Sequence, residues 1–390
     1  MKKIIVRGPA LSRSGYGEHC RAVLRALKTD DTNDIYLVNV GWGESGWLYE
    51  DNEERRWIDD TIFKTAGYLQ SKEPKFDLSV QVQLPIEWEL LADKNIGVTA
   101  GVETDTIPER WAVASEKMDA IIVPSAHTRF GYRNYENLIK KINVIGYPVR
   151  KFEKEKLPLP LGTGFNFLSV AQWNPRKNVE QLVAAFVDEF TNEEVGLVLK
   201  LGIKNGSNID RHFTKDRLTA LLDELSPERK CKVYLLHGSL TDGEMASLYQ
   251  HPNIKAYVTT SHGEGFGLPV FESVHNGLPV ITSNWGGIQE YSSIGDKVMI
   301  KDVAHTVNNV KDHHTWEGVL EKTAKWCYSD TASLRQAMRD VYTNRAPYKK
   351  KANKLARHIE SVFTEENINQ LYMNVFDGVL SNQGENNEVK

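Results

Sequence analysis

Short apolar runs alternate with longer amphipathic segments along most of the chain, and they do so in two series. The first comprises Ile4–Gly8, Asp34–Val40, Leu78–Leu84, Asn95–Ala100, Asp119–Ser125 and Asn143–Val149. The second comprises Phe165–Ala171, Val195–Leu201, Lys232–Gly238, Lys255–Ser261, Pro279–Asn284 and Lys297–Ile300. Segments with helical spacing, such as His19–Leu27, Val179–Phe190 and Asp242–Gln250, lie between them. A strand that is apolar throughout must be buried on both faces, and helices between such strands supply the cover, so each series predicts a parallel α/β sheet. The series are separated by Lys151–Gly164, a charged run with prolines and glycines that reads as a linker. The expected organisation is an N-terminal domain over 1–150, a second domain over 151–343, helices over 344–380 and a frayed polar tail over 381–390. From His314 onward the chain reads as mostly helical. Ligands of open α/β sheets sit beyond the carboxyl ends of the strands, so the informative residues belong in the loops that follow them.

The 390 residues are enough for two cores, and 41% hydrophobic with 26% charged residues is an ordinary globular balance. A net charge of −4 gives no global attraction for nucleic acid or an anionic membrane. Cys20, Cys231 and Cys327 are far apart and form no metal-ligand spacing, which points to reduced thiols. The apolar stretch after Lys2-Lys3 is too short for a signal peptide, and no stretch approaches a membrane span. A cytoplasmic location is expected.

The sharpest motif is Ser261–Gly287, which opens where the strand Lys255–Ser261 ends. Gly263, Gly265 and Gly267 leave backbone N–H groups accessible to an anion, Pro269 suits the first turn of a helix and Gly277 its end. Glu264 and Glu272 are placed to face one ligand. The second motif, Ser169–Phe186, sets Arg176 and Lys177 at a helix start, where cations oppose the helix dipole unless an anion is bound. A third, Gly8–Val23, carries Gly15, Tyr16 and Gly17 in a turn before a helix. A fourth, Gly97–Trp111, places Glu103 and Asp105 after a strand, and His127 follows the strand Asp119–Ser125. Each has a bland reading as well: a solvated carboxylate, a surface charge pair, a plain strand-to-helix turn, a helix-start histidine. Glycine loops at Gly238 and at Gly286-Gly287 close the set.

At Glu264-Gly-Phe-Gly-Leu-Pro-Val-Phe-Glu272 the chain resembles the retaining glycosyltransferases of the GT-B fold, family 4 in particular, whose hallmark is E-x7-E. The resemblance implies two facing Rossmann-like domains with a cleft between them and C-terminal helices crossing back. It implies a nucleoside diphosphate sugar as donor, a UDP-sugar being favoured, with no cofactor and no metal site required. It implies that Glu272 binds the donor ribose, that Glu264 supports the reacting sugar, and that Lys177, assisted by Arg176, holds the leaving diphosphate. Gly265, Phe266, Gly267, Leu268, Gly15, Tyr16, Gly17 and Gly238 complete the expected donor site. The chain departs from the family at Gln172, where an arginine is frequent, and in the Gly97–Trp111 loop, where no histidine stands. Glu103 and then Asp105 are the substitutes there. That departure keeps open a nucleotide- or sugar-binding module without catalysis, and a GT-B relative such as an epimerase or phosphorylase also remains.

The stretches VRGPALSRSGYGEH (6–19) and NIGVTAGVETD (95–105), with VAQWNPRKN (170–178), are similar to glycosyltransferases encoded by tailed bacteriophages, an origin that would make the expected location the host cytoplasm; some of these enzymes modify hydroxymethylated bases of phage DNA. This suggests a hydroxymethylated pyrimidine in DNA as acceptor, with a glycan or lipid-linked saccharide as the alternative. Arg13, Tyr16, His127 and Arg129 are the acceptor candidates. Arg7, Arg21, Arg25 and Arg133 are available to meet phosphates, and Tyr16 to stack on a flipped base.

Overall fold

The computed structural model describes residues 1–71 and 73–381, and the chain divides into two compact units. The first unit holds Met1–Pro148, Thr315–Ala324 and the chain from Phe363 onward; the second holds Val149–His314 and Lys325–Val362. Helix Arg345–Val362 thus belongs to the second unit and helix Glu365–Ser381 to the first. Of the expected tail over 381–390, only Ser381 falls within the described residues.

The first unit contains β1 (Lys2–Gly8), β2 (Asn33–Asn39), β3 (Leu78–Val82), β4 (Lys94–Val98), β5 (Ala120–Val123) and β6 (Ile142–Val144). They form one parallel sheet in the order β2-β1-β3-β4-β5-β6. The order reverses beside β1, so the crevice for a ligand lies past the carboxyl ends of β1 and β3. β5 and β3 are buried at every residue: β5 is apolar throughout, and β3 buries Ser79 and Gln81 by bonding them to Asn95 and the Glu89 carbonyl. Helix Gly15–Lys28 starts at Ser14, whose hydroxyl accepts from the Gly17 N–H, and carries Glu18 in its first turn and Arg25 and Lys28 in its last. Its inner face packs with Ile368, Tyr372 and Phe376 of the C-terminal helix in the same core as Val6, Val80 and Ile96. The segment Thr315–Ala324 completes this unit elsewhere. Gly318 takes φ +68°, and its carbonyl accepts from the buried Trp111 indole at 3.1 Å and from Arg110 Nε at 2.6 Å. A Cβ on Gly318 would overlap the Arg110 guanidinium.

The second unit contains β7 (Asn166–Gln172), β8 (Gly196–Gly202), β9 (Lys232–Leu236), β10 (Ile254–Val258) and β11 (Val280–Thr282). β12 (Ser293–Ile294) and β13 (Lys297–Val298) follow, then β14 (Lys301–Asp302), β15 (His305–Asn309) and β16 (Lys325–Ser329). The parallel sheet has the order β14-β11-β10-β7-β8-β9. This is the doubly wound Rossmann order, with its reversal between β7 and β10. Phe167, Phe186 and Phe190 pack edge-on and tilted in its core, and Arg339 pairs with Glu189 and Glu193 to fasten helix Thr331–Thr343 onto helix Val179–Phe190.

Two expectations are corrected. Lys297–Ile300 is not the sheet's sixth strand: β13 pairs antiparallel with β12 as a small hairpin, and the edge strand is the two-residue β14 just after it. The chain after His314 is not helical until Thr331, because β16 first pairs antiparallel with β15. All three cysteines are buried free thiols. Among the described residues no helix is long and apolar enough to cross a membrane.

Candidate functional site

The reversal between β7 and β10 brings together the two strongest motifs. After β7 the chain makes a short 3₁₀ turn, Pro175–Lys177, capped by Asn174, whose side chain accepts from the Lys177 N–H at 3.2 Å. Asn178 then takes φ +49° and the helix Val179–Phe190 begins. The turn is tied to the loop after β10: the His262 N–H donates to the Arg176 carbonyl at 2.7 Å, and the Thr260 hydroxyl donates to the Asn178 carbonyl at 2.8 Å.

Glu264 is the electrostatic centre. Its carboxylate is only 8% exposed and accepts from Lys177 Nζ on one oxygen and from Arg176 Nη1 at 3.2 Å on the other. The same Arg176 nitrogen donates to the Gly263 carbonyl at 2.6 Å. Burial by itself raises the Glu264 carboxyl; the adjacent Lys177 and Arg176 charges outweigh it and hold the group at about 2. The two cations and one carboxylate leave an excess positive charge beside a glycine loop, the combination a diphosphate needs. The sign of the pH dependence follows. A carboxyl depressed on folding contributes its full stability above its unfolded value near 4.5, and that contribution is lost as pH falls towards 2. Between pH 5 and 2 the native protein should lose about 3 kcal/mol more stability than Glu264→Gln. Urea melts across that range measure it, and parallel curves for the two proteins would remove the assignment.

The loop is held by its own packing. Gly267 takes φ +86° at the start of helix Leu268–His275, with Leu268 as its first residue and Pro269 next. The buried Tyr291 hydroxyl lies 3.0 Å from the Phe266 carbonyl and 2.9 Å from that of Gly267. Gly287 N–H donates to the Glu264 carbonyl at 2.7 Å, with its α-carbon against Gly265. The Phe266 side chain packs inward between Phe271 and Tyr291, so it is core; only its backbone faces a ligand in the expected donor role. Glu272 receives a hydrogen bond of 2.7 Å from the buried Tyr249 hydroxyl. Gln172 is exposed and donates to the Ile203 carbonyl. Gly238 takes φ +103° past β9, and Lys200 Nζ donates to its carbonyl.

In the first unit the candidates gather at the carboxyl ends of β1, β4 and β5. Tyr16 is buried, with its hydroxyl 2.8 Å from the Thr99 hydroxyl and its ring stacked on Trp42 at 3.9 Å. A ring already stacked and buried is no platform for a flipped base, which corrects that expectation. Gly15 has open space where a side chain would be, whereas a Cβ on Gly17 would strike the Ser12 carbonyl. Glu103 takes φ +55°, a conformation that costs a non-glycine residue energy and so points to function. Asp105 pairs with Arg133 at 3.4 Å. Burial lowers the His127 pKa, opposed by its bond to the Thr104 backbone and by the Asp105 charge. Arg129 is exposed. The other arginines expected to meet phosphates are paired with carboxylates: Arg7 with Glu89, Arg13 with Glu50, Arg21 with Glu18, and Arg25 with Glu18 and Glu54. They therefore form no bare basic groove.

Sequence reasoning missed His262, Tyr249, Tyr291 and Asn174. Asn174 carried a signal, since Asn-x-x-Lys before a helical run is a cap spacing. His262 carried only its place beside the glycine loop. Among the described residues no group of three or more His, Cys, Asp or Glu is arranged to hold a metal ion.

The architecture is the GT-B fold, two Rossmann-like units in one chain. Residues 149–310 match the profile of the family "Glycosyl transferases group 1", a match that lies wholly in the second unit. The chain is 34% identical over 116 residues to the serotype-specific mannosyltransferase WbdA of Escherichia coli; that stretch is 30% of this chain and only 13% of the relative. Sucrose-phosphate synthase from Thermosynechococcus elongatus superposes with a TM-score of 0.63 at 16% identity, covering 97% of this chain and 100% of that one. Anabaena HepE, solved with UDP and glucose, superposes with a TM-score of 0.62 at 13% identity over 97% and 100% of the two chains.

Proposed function

We propose that this chain is a glycosyltransferase that moves a sugar from a nucleoside diphosphate sugar, most simply a UDP-sugar, to a hydroxyl of a saccharide. The observation that carries the proposal is the Glu264 carboxylate held between Lys177 and Arg176 at the sheet reversal of the second unit. The hard step in such a transfer is departure of the diphosphate while positive charge builds on the sugar ring. Lys177, Arg176 and the N–H groups of the Gly263–Gly267 loop meet the first demand, and the ionised Glu264 is the group for the second. Glu272, oriented by Tyr249, takes the donor ribose hydroxyls. The E-x7-E spacing supports retention at the anomeric carbon and membership of family 4. The UDP complex of HepE supports the choice of nucleotide.

A saccharide is preferred to hydroxymethylated DNA as acceptor. The arginines that would meet phosphates are neutralised by carboxylates, and the relatives' names speak of mannosyl transfer and of sucrose phosphate. The test is incubation with a panel of nucleotide sugars without acceptor. Slow release of UDP from at least one UDP-sugar, lost in Glu264→Ala, is expected; a wild-type protein that binds UDP but releases it from no donor is a binding module instead.

A further inference from the structure

We infer that the loop Val40–Asp51 of the first unit is a stacking subsite for the acceptor saccharide, with Trp47 and Tyr49 as its platform. The inference deepens the transferase reading and rests on it for the word acceptor. Residues 41–50 read GWGESGWLYE, and the function above uses none of their side chains. Trp47 is 60% exposed and Tyr49 54% exposed, while Leu48 between them turns inward. Alternation of this kind is that of an extended segment, which sets side chains two apart on one face, roughly 7 Å from each other.

A large ring left in water is ordinary when it stands alone on a mobile surface. This segment is different because its backbone is fixed from several directions. Arg13 N–H donates to the Gly46 carbonyl at 2.8 Å, and Leu48 N–H to that of Leu11 at 2.7 Å. The Ser12 and Ser45 hydroxyls lie 2.7 Å apart, and Trp47 bridges to Ser12 in antiparallel fashion. Arg55 donates to the Leu48 carbonyl, and the Arg13 guanidinium stacks over the Tyr49 ring at 4.9 Å while pairing with Glu50. The backbone that carries both rings, and the Tyr49 ring under Arg13, are therefore held before any ligand arrives, which removes part of the entropy cost of using them.

Their chemistry selects the occupant. A pyranose has an apolar face of C–H bonds and a rim of hydroxyls. The electron-rich face of an indole or phenol suits the first. Glu44, Ser45 and Glu50 of the same loop, and Arg13 over the Tyr49 ring, offer donors and acceptors for the second. The loop itself holds Glu44, Glu50 and Asp51 and no lysine or arginine, a charge that sets it against a polyphosphate backbone. The loop follows β2 and is bonded to the loop after β1, where Asn39 accepts from the Leu11 N–H at 3.0 Å. Its Trp42 is the ring on which Tyr16 stacks. The platform thus adjoins the ligand-binding end of the first unit's sheet.

The experiment uses the full chain on an array of oligosaccharides built from mannose, galactose, glucose and N-acetylglucosamine, with hydroxymethylated duplex DNA as a further spot. UDP binding is measured in parallel by calorimetry. The wild type should retain at least one saccharide. Trp47→Ala and Tyr49→Ala should each weaken that retention by about tenfold, Trp47→Phe by less, with UDP affinity and melting temperature unchanged. Phe63→Ala, at a ring 83% exposed on the helix Glu53–Leu69, should change nothing. Absence of saccharide retention by a wild type that still binds UDP overturns the subsite and leaves the donor reading standing. Saccharide retention that depends on Trp47, without any UDP binding, does the reverse. Retention of the DNA alone, or equal loss with Phe63→Ala, also overturns the proposal.

Discussion

Lys177→Ala should lower kcat/KM for a UDP-sugar by roughly a hundredfold to a thousandfold, the scale seen when one preorganised charge is removed from a transition state. In the proposed reaction the ammonium serves on both sides. Before the donor binds it neutralises Glu264; with the donor present it is the nearest cation on a flexible stem that can turn from the carboxylate to a leaving phosphate. Arg176 is the poorer substitute, because its planar guanidinium is already shared between Glu264 and the Gly263 carbonyl. The substitution also leaves a buried carboxylate with one counter-charge fewer, so some loss of stability, on the order of 1–3 kcal/mol, should accompany it. Steady-state kinetics with the donor in excess, together with calorimetry for UDP, separates the two effects. Wild-type UDP affinity in the variant would refute the assignment of Lys177 to the diphosphate.

Gly287→Ala should be the most damaging single methyl in the second unit. An added Cβ would lie 2.0 Å from the Gly265 carbonyl oxygen and 2.4 Å from its carbon. Both are backbone atoms of the loop that carries Glu264, so relief requires moving that loop. Overpacking of this kind costs about 1–3 kcal/mol or more, and a melting temperature lower by roughly 3–12 °C is expected for a unit of this size. Activity should fall further than stability does, since the shift displaces Glu264 from Lys177. Gly15→Ala is the control: nothing lies within 4 Å of its missing side chain, so its melting temperature should stay put. A Gly287→Ala protein that melts and turns over like the parent would show that the two loops are not in contact.

What could be read in the sequence divides along physical lines. β5 announces itself because burial on both faces demands unbroken apolar residues, whereas β3 carries Ser79 and Gln81 inward on hydrogen bonds to Asn95 and the Glu89 carbonyl. The glycine loop after β10 is legible because it needs small residues at fixed offsets from a helix start. By contrast β15 is exposed along most of its length and finds β16 only after an intervening excursion, so no local periodicity betrays it. The apolar character of Met299 and Ile300 reflects burial outside any strand, which is why that run reads as one in the sequence. The bond from Tyr249 to Glu272 and the carboxylate partners of Arg7, Arg13 and Arg25 join residues far apart in the chain. An arginine free to meet phosphate and one already neutralised look the same in a sequence.

The first unit draws on three separate stretches of chain, and this bears on its modularity. A fragment ending at Pro148 would lack both the Thr315–Ala324 segment and the C-terminal helix. The Trp111 indole would lose the carbonyl of Gly318, and the core around Leu24 would lose Tyr372 and Phe376. A chimera made by a single crossover near residue 148 would therefore join a first unit to someone else's completing pieces. Recombination of such enzymes must carry the three stretches together, and grafting Thr315–Ala324 with its Arg110–Trp111 receptor is the condition for a foldable hybrid.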